Sequence, residues 1–134
     1  HRSFNQDAST VCGAANIAME RLRTRYPKAQ IIVMTPIHRT FFQCSPTNIQ
    51  PAEDWPNKGG TYIDTYVDCI KEIANVWSVP VIDLNADSGL TPLNDSQVPY
   101  FRNGDNDRLH PNGAGHERIA KVIYARLKSM PATF

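Results

Sequence analysis

The stretch Asp107-Arg108-Leu109-His110-Pro111-Asn112-Gly113 places an acid three residues before a histidine and a proline directly after it. These are the residue types that proton transfer requires. A histidine acting as general base needs its second ring nitrogen held by an acceptor, which orients the imidazole and stabilises its positive form. Asp107 can provide that acceptor over a short loop. Pro111 restricts His110 to extended backbone and keeps its side chain out of the helix that follows. Asn112 suits the N-cap of that helix, and Gly113 and Gly115 leave its first turn narrow. The spacing alone is also that of an ordinary polar loop before a helix. Its place in the fold has to decide.

The elements that must position this pair alternate between helix and strand. Ser9 or Thr10 can cap a first helix to about Tyr26, with Val11, Ala14, Ala18 and Leu22 on its apolar face. Residues 30–35 form a short apolar run without alternation, the pattern of a parallel strand buried on both faces. A second helix is expected over 61–77, with Thr61 as cap and Asp64 close to a capping box. Its apolar face is Ile63, Tyr66, Val67, Ile70, Ile73, Ala74 and Trp77. Residues 79–84 make a second buried strand, with Pro80 near its start, where a missing donor is tolerated. The last helix, 113–128, should bury Ile119, Val122, Ile123 and Leu127.

Strands 31–35 and 79–83 should therefore pair in parallel, with the helix between them as the crossover. Ligands of open parallel sheets sit beyond the carboxyl ends of the strands. Two long loops leave from those ends. The first, residues 36–60, spans about 25 residues and carries His38, Arg39, Phe41, Phe42 and Trp55 as candidate walls of a substrate cleft. The aromatics could equally pin the loop to the body. The second, residues 85–112, ends in the Asp-His element. Of the first loop's residues, His38 or Arg39 is expected nearest His110.

Composition narrows the classes. One domain fits 134 residues, and 41% hydrophobic content suits a globular core rather than disorder. A net charge of +1 recommends neither nucleic acid nor an anionic membrane as partner. No apolar run approaches the length of a membrane span. Cys12, Cys44 and Cys69 lack Cys-x-x-Cys spacing, which argues against structural zinc. Three unrelated cysteines are expected, with one disulfide and one free thiol as the alternative. The chain starts at His1 with neither an initiator Met nor a signal-peptide pattern, so compartment is not legible there; the cysteines are compatible with secretion or the periplasm.

Residues 107–113, with Gly115-His116 entering the helix, resemble the last motif block of the SGNH hydrolases, also called GDSL esterases and lipases. Residues 25–36, Arg-Tyr-Pro-Lys-Ala-Gln-Ile-Ile-Val-Met-Thr-Pro, resemble that family's penultimate helix-to-strand passage. Residues 79–84 resemble the strand before its catalytic loop. The resemblance covers nearly the whole chain. It implies a flavodoxin-like three-layer α/β/α fold and ester hydrolysis through a Ser-His-Asp triad, without metal or other cofactor. His110 is then the general base and Asp107 its orienting acid. The implied substrate is a small-molecule ester, with small acyl groups on a carbohydrate favoured because nothing resembles a long apolar lid.

The departure from the family is large. Its Gly-Asp-Ser nucleophile block and its oxyanion-hole glycine and asparagine blocks precede the first helix seen here, and the chain has none of them. Asp87-Ser88-Gly89 imitates the nucleophile motif in letters, but it follows a late strand and reads as turn chemistry. Asn5 lacks the Gly-x-Asn-Asp surroundings of an oxyanion residue. Two buried-type strands with three helices also expect further neighbours. Residues 1–134 are accordingly expected to be the C-terminal part of one larger domain, whose missing N-terminal half is a partner in folding. Other readings stay open: a metal-assisted hydrolase using Asp107, His110 and His116, Asp83 in place of Asp107, or a noncatalytic α/β binding module.

Overall fold

The structure, a computed structural model, describes residues 5–131. Thr10 caps α1 (Val11–Arg25), its side chain accepting from the Gly13 N–H. Strand β1 (Val33–Met34) pairs in parallel with β4 (Val81–Ile82), and α2 (Ile63–Val76) crosses between them. The expected class and the parallel pairing are therefore present. The buried residues Met19, Cys69, Ile73, Ala74 and Val79 form the core at this parallel pair, with Val33, Trp77 and Val81 packed against them.

Three expectations about this half are corrected. The first concerns the face of α1. Gly13, Asn16 and Met19 point inward, whereas Val11, Ala14, Ala18 and Leu22 are exposed, Leu22 at 41%. Asn16 is drawn in because its polar atoms are satisfied there. It accepts from Trp77 Nε1 at 2.8 Å and donates to the Asn5 carbonyl at 2.8 Å. The second correction is chemical. Cys12 and Cys69 are joined as a disulfide tying α1 to α2, and only Cys44 is free. The third is the cap of α2, which is Tyr62, without a side-chain cap bond, rather than Thr61. Thr61 instead closes a turn with Asn57, which accepts its N–H at 3.0 Å.

The two long connections are not plain loops. The first contains β2 (Phe42–Ser45) and β3 (Asn48–Gln50). The second contains α3 (Leu84–Asp87), a 3₁₀ turn (Asp95–Tyr100), β5 (Phe101–Asn103) and β6 (Asp107–Pro111). Together they build a four-stranded antiparallel sheet in the order β3-β2-β6-β5. The chain is thus mixed α/β, a two-stranded parallel sheet beside a four-stranded antiparallel one. Ser88 ends α3 as a buried turn residue, and Gly89 at φ 65° reverses the chain after it.

The last helix, α4 (Gly113–Ser129), is capped by Asn112 as expected. Its apolar face is covered less than expected. Ile119, Val122 and Ile123 are half-buried and Leu127 is exposed. Gly115 is the one buried position of the helix. A Cβ there would run into the Tyr100 carbonyl oxygen and stand 2.8 Å from Pro111 Cβ. Gly115→Ala should therefore lower stability by about 1–3 kcal/mol, as overpacking against backbone does. Urea unfolding reads this directly, and an unchanged midpoint would show that α4 docks more loosely than described.

Candidate active site

Asp107 and His110 lie on β6, between β2 and β5. Both Asp107 carboxylate oxygens stand 3.0 Å from His110 Nδ1. Oδ1 also accepts the backbone N–H of Leu109 at 3.2 Å and of His110 at 3.0 Å. The carboxylate is 2% exposed while the imidazole is 45% exposed. A buried acid thus holds Nδ1 of a half-exposed ring. Phe42 packs its ring at 4.8 Å and 86° to the imidazole, an edge-on contact that fixes the ring plane.

The strand that carries the pair is held from several sides. Arg108 donates from Nε to the Gly104 carbonyl at 2.8 Å and from Nη1 to that of Pro92 at 3.1 Å. It also meets Asp95 at 2.8 Å, but Asp95 is almost fully exposed and that ion pair adds little. Asn112 Nδ2 donates to the carbonyls of Pro99 and Phe101, so the residue that caps α4 also fixes the strand beside it. Arg118 stacks on the Tyr100 ring at 4.2 Å and donates to Gly89, Gln97 and Tyr100. Sequence reasoning gave these two arginines no role. The carbonyls they bind belong to residues with no sequence signal as a group.

The loop after β1 comes to the same place. The Thr40 N–H donates to the Arg108 carbonyl and the Arg108 N–H to the Phe41 carbonyl, both at 3.4 Å, and Phe42 lies opposite Asp107. His38 and Arg39 stand just before this pairing. His38 Nδ1 is within 2.9 Å of Glu53, whose Oε2 also accepts the Arg39 backbone N–H at 3.0 Å. Glu53, unremarked in the sequence, organises this turn. Burial pulls the Arg39 guanidinium below its ordinary value, with the charge of Glu53 acting in the opposite direction.

Asp83 is occupied elsewhere. It caps α3, accepts from Thr35 Oγ1 at 2.8 Å and pairs with Lys71 at 2.6 Å. Burial pushes its carboxyl up, but Lys71, Thr35 and the Ala86 N–H outweigh that and hold it below the ordinary 3.8. A depressed carboxylate contributes stability above its unfolded value and loses it as pH falls through the folded one. The stability difference between the protein and Asp83→Asn should therefore be largest above about pH 5 and shrink towards about pH 2. Urea midpoints across that range test it, and a difference constant with pH would contradict it. His116 is exposed in the first turn of α4. Among the described residues no group of three or more His, Cys, Asp or Glu is gathered as a metal site requires.

A model of the GDSL-like lipase/acylhydrolase family matches residues 4–118. One solved crystal structure is 32% identical, with a TM-score of 0.80 over 93% of this chain and 54% of its own. A protein from Lactobacillus plantarum is 23% identical, with a TM-score of 0.77 over 98% of this chain and 59% of its own. A structure described as a possible lipase, from Chitinophaga pinensis, is 19% identical, with a TM-score of 0.73 over 95% and 66%. The chain therefore spans about half to two thirds of the length of the solved structures it matches. No curated protein matches the sequence. With a family model matched across most of its length, the chain belongs to the GDSL-like lipase/acylhydrolase family.

Proposed function

We propose that this chain supplies the His-Asp half of a serine esterase of the SGNH type, which hydrolyses small acyl esters, with acylated carbohydrates as the favoured class. The observation that carries the reading is the buried Asp107 carboxylate on Nδ1 of the half-exposed His110. In that arrangement Nδ1 keeps its proton for Asp107, and Nε2 is the basic nitrogen. His110 Nε2 takes the proton of a serine hydroxyl as its oxygen attacks the ester carbonyl. The same proton then passes to the departing alkoxide, leaving an acyl-serine. Water repeats the sequence and releases the acid. Asp107 stays ionised throughout and stabilises the imidazolium.

The serine belongs, in this reading, to a part of the domain outside residues 1–134. Three features support a C-terminal part of one domain. The apolar stripe Val11, Ala14, Ala18 and Leu22 is uncovered. Strands β1 and β4 pair only with each other among the described residues. The matched structures are longer than this chain. His38 and Arg39, on the turn leading into β2, are the proposed substrate contacts.

The test is labelling with a serine-directed fluorophosphonate. The full-length protein should hydrolyse p-nitrophenyl acetate and lose that activity on labelling, with the label mapping outside this chain. The 134-residue chain alone should hydrolyse nothing above background. A label on Ser88, or activity of the isolated chain, would overturn the division of the triad.

A further inference from the structure

Asp107 holds the imidazole of His110 at Nδ1, with both carboxylate oxygens at 3.0 Å. One hydrogen-bonded corner fixes where that nitrogen lies but leaves the ring free to pivot about it. A pivot of about 30° carries Nε2 by about 1 Å, and a misplacement of that size costs about 100-fold in rate. A second hold comes from Phe42. Its ring meets the imidazole edge-on, with centroids 4.8 Å apart and planes at 86°. We propose that Phe42 is a positioning residue for the reaction: its ring locks the pivot of His110 and so aims Nε2 at the serine. The proposal rests on the esterase reading of His110. It gives the first long loop a part in the chemistry besides any contact with substrate.

The contact is built from the backbone outward. Phe42 is the register partner of Asp107 across β2 and β6. The Gln43 N–H donates to the Asn106 carbonyl at 2.9 Å, beside the bonds of Thr40 and Phe41 to Arg108. One residue thus stands opposite the acid and presents its ring to the base. The entry to β2 is clasped in turn. Glu53 accepts the Arg39 N–H at 3.0 Å and donates its own N–H to the Arg39 carbonyl at 3.2 Å. The ring does not serve the main core: Phe42 is half-buried and lies outside the cluster of Met19, Cys69, Ile73, Ala74 and Val79. Its neighbours Gln43 and Cys44 are exposed. An aromatic ring suits the task better than an aliphatic chain of similar bulk. Its quadrupole favours an edge-to-face angle, whereas an aliphatic chain against a flat ring prefers none.

The experiment measures p-nitrophenyl acetate turnover by the full-length protein carrying Phe42→Leu, Phe42→Met or Phe42→Tyr. The two ringless variants should lower kcat by about 10- to 100-fold with KM within about 2-fold, because the base is misaimed and ester binding is untouched. Phe42→Tyr keeps the ring and should retain about a third or more of the parent kcat. In the His110→Ala background the same substitutions should cost nothing further, since a positioning residue acts only through the residue it positions. The low-field proton NMR signal of His110 Nδ1–H, which faces Asp107, should persist in Phe42→Tyr and broaden in the ringless variants. Thermal unfolding checks that each variant folds. Full kcat in a folded Leu or Met variant, a loss carried mainly by KM, or an equal loss in both His110 backgrounds overturns the proposal. Failure of both ringless variants to fold also overturns it and makes Phe42 a packing residue. No turnover by the parent protein, with the Nδ1 signal still responding to Phe42, overturns the esterase reading and leaves the positioning role.

Discussion

His110→Ala in the full-length protein should lower kcat for p-nitrophenyl acetate by about 10⁴- to 10⁶-fold, the loss seen when a triad base is removed. That corresponds to about 5–8 kcal/mol of transition-state stabilisation. The size follows from the role proposed for the imidazole, which acts twice in each turnover of a triad. A triad base removes the proton that would otherwise leave serine a weak nucleophile, then delivers it to a poor leaving group. Little of the loss should come from misfolding. The imidazole is 45% exposed and meets the Phe42 ring edge-on. KM should change far less than kcat, because a general base acts on the proton in flight more than on bound ester. Steady-state kinetics and thermal unfolding on the same preparation separate the two effects. Full activity in His110→Ala, or activity abolished by a chelator in the unmodified protein, would remove the triad assignment and favour a metal-assisted route.

How much of this was legible in the sequence depended on whether the signal was local. The apolar runs around Val33 and Val81 and the helical spacing of Ile63 to Trp77 are short-range patterns, and the parallel pair with its crossover helix followed from them. Asn112 as cap and Asp107 three residues before His110 are likewise local. The sheet β3-β2-β6-β5 was not legible. Phe42 meets Asp107 across 65 residues, through three-to-five-residue strands embedded in polar, turn-rich sequence. The inward face of α1 was misread for a different reason. Periodicity counts Asn16 and Gly13 as surface residues, while Trp77 Nε1 and the Asn5 carbonyl complete the bonds of Asn16. The Cys12–Cys69 link depends on two helices meeting, which no spacing reveals. In the site, the pair is visible in seven letters, whereas Phe42, Arg108 and Glu53 acquire roles only when distant loops close on β6.

Asp107→Asn should cost about 10⁴-fold in kcat while leaving the fold in place, and Asp107→Ala should show the opposite balance. The geometry gives the reason. Oδ1 accepts two backbone N–H groups, from Leu109 and His110, as well as facing Nδ1. An asparagine keeps those two bonds by placing its carbonyl oxygen at the Oδ1 position. Its amide N–H₂ then faces Nδ1, which has to become an acceptor. The ring proton moves to Nε2, and the nitrogen needed to take the serine proton is no longer basic. Asp107→Ala imposes no tautomer, so a poorly oriented histidine retains a basic Nε2, and the loss in kcat should be smaller than for Asp107→Asn or His110→Ala. Alanine instead leaves two partly buried N–H groups without that acceptor, at about 1–3 kcal/mol of stability for each group that finds no water. Plotting kcat against the urea midpoint for the three proteins should therefore place Asn low in activity and near the parent in stability. Alanine should lie higher in activity and lower in stability. If both substitutions fall together on both axes, Asp107 is a structural acceptor on β6, and the orientation of His110 owes nothing to its charge.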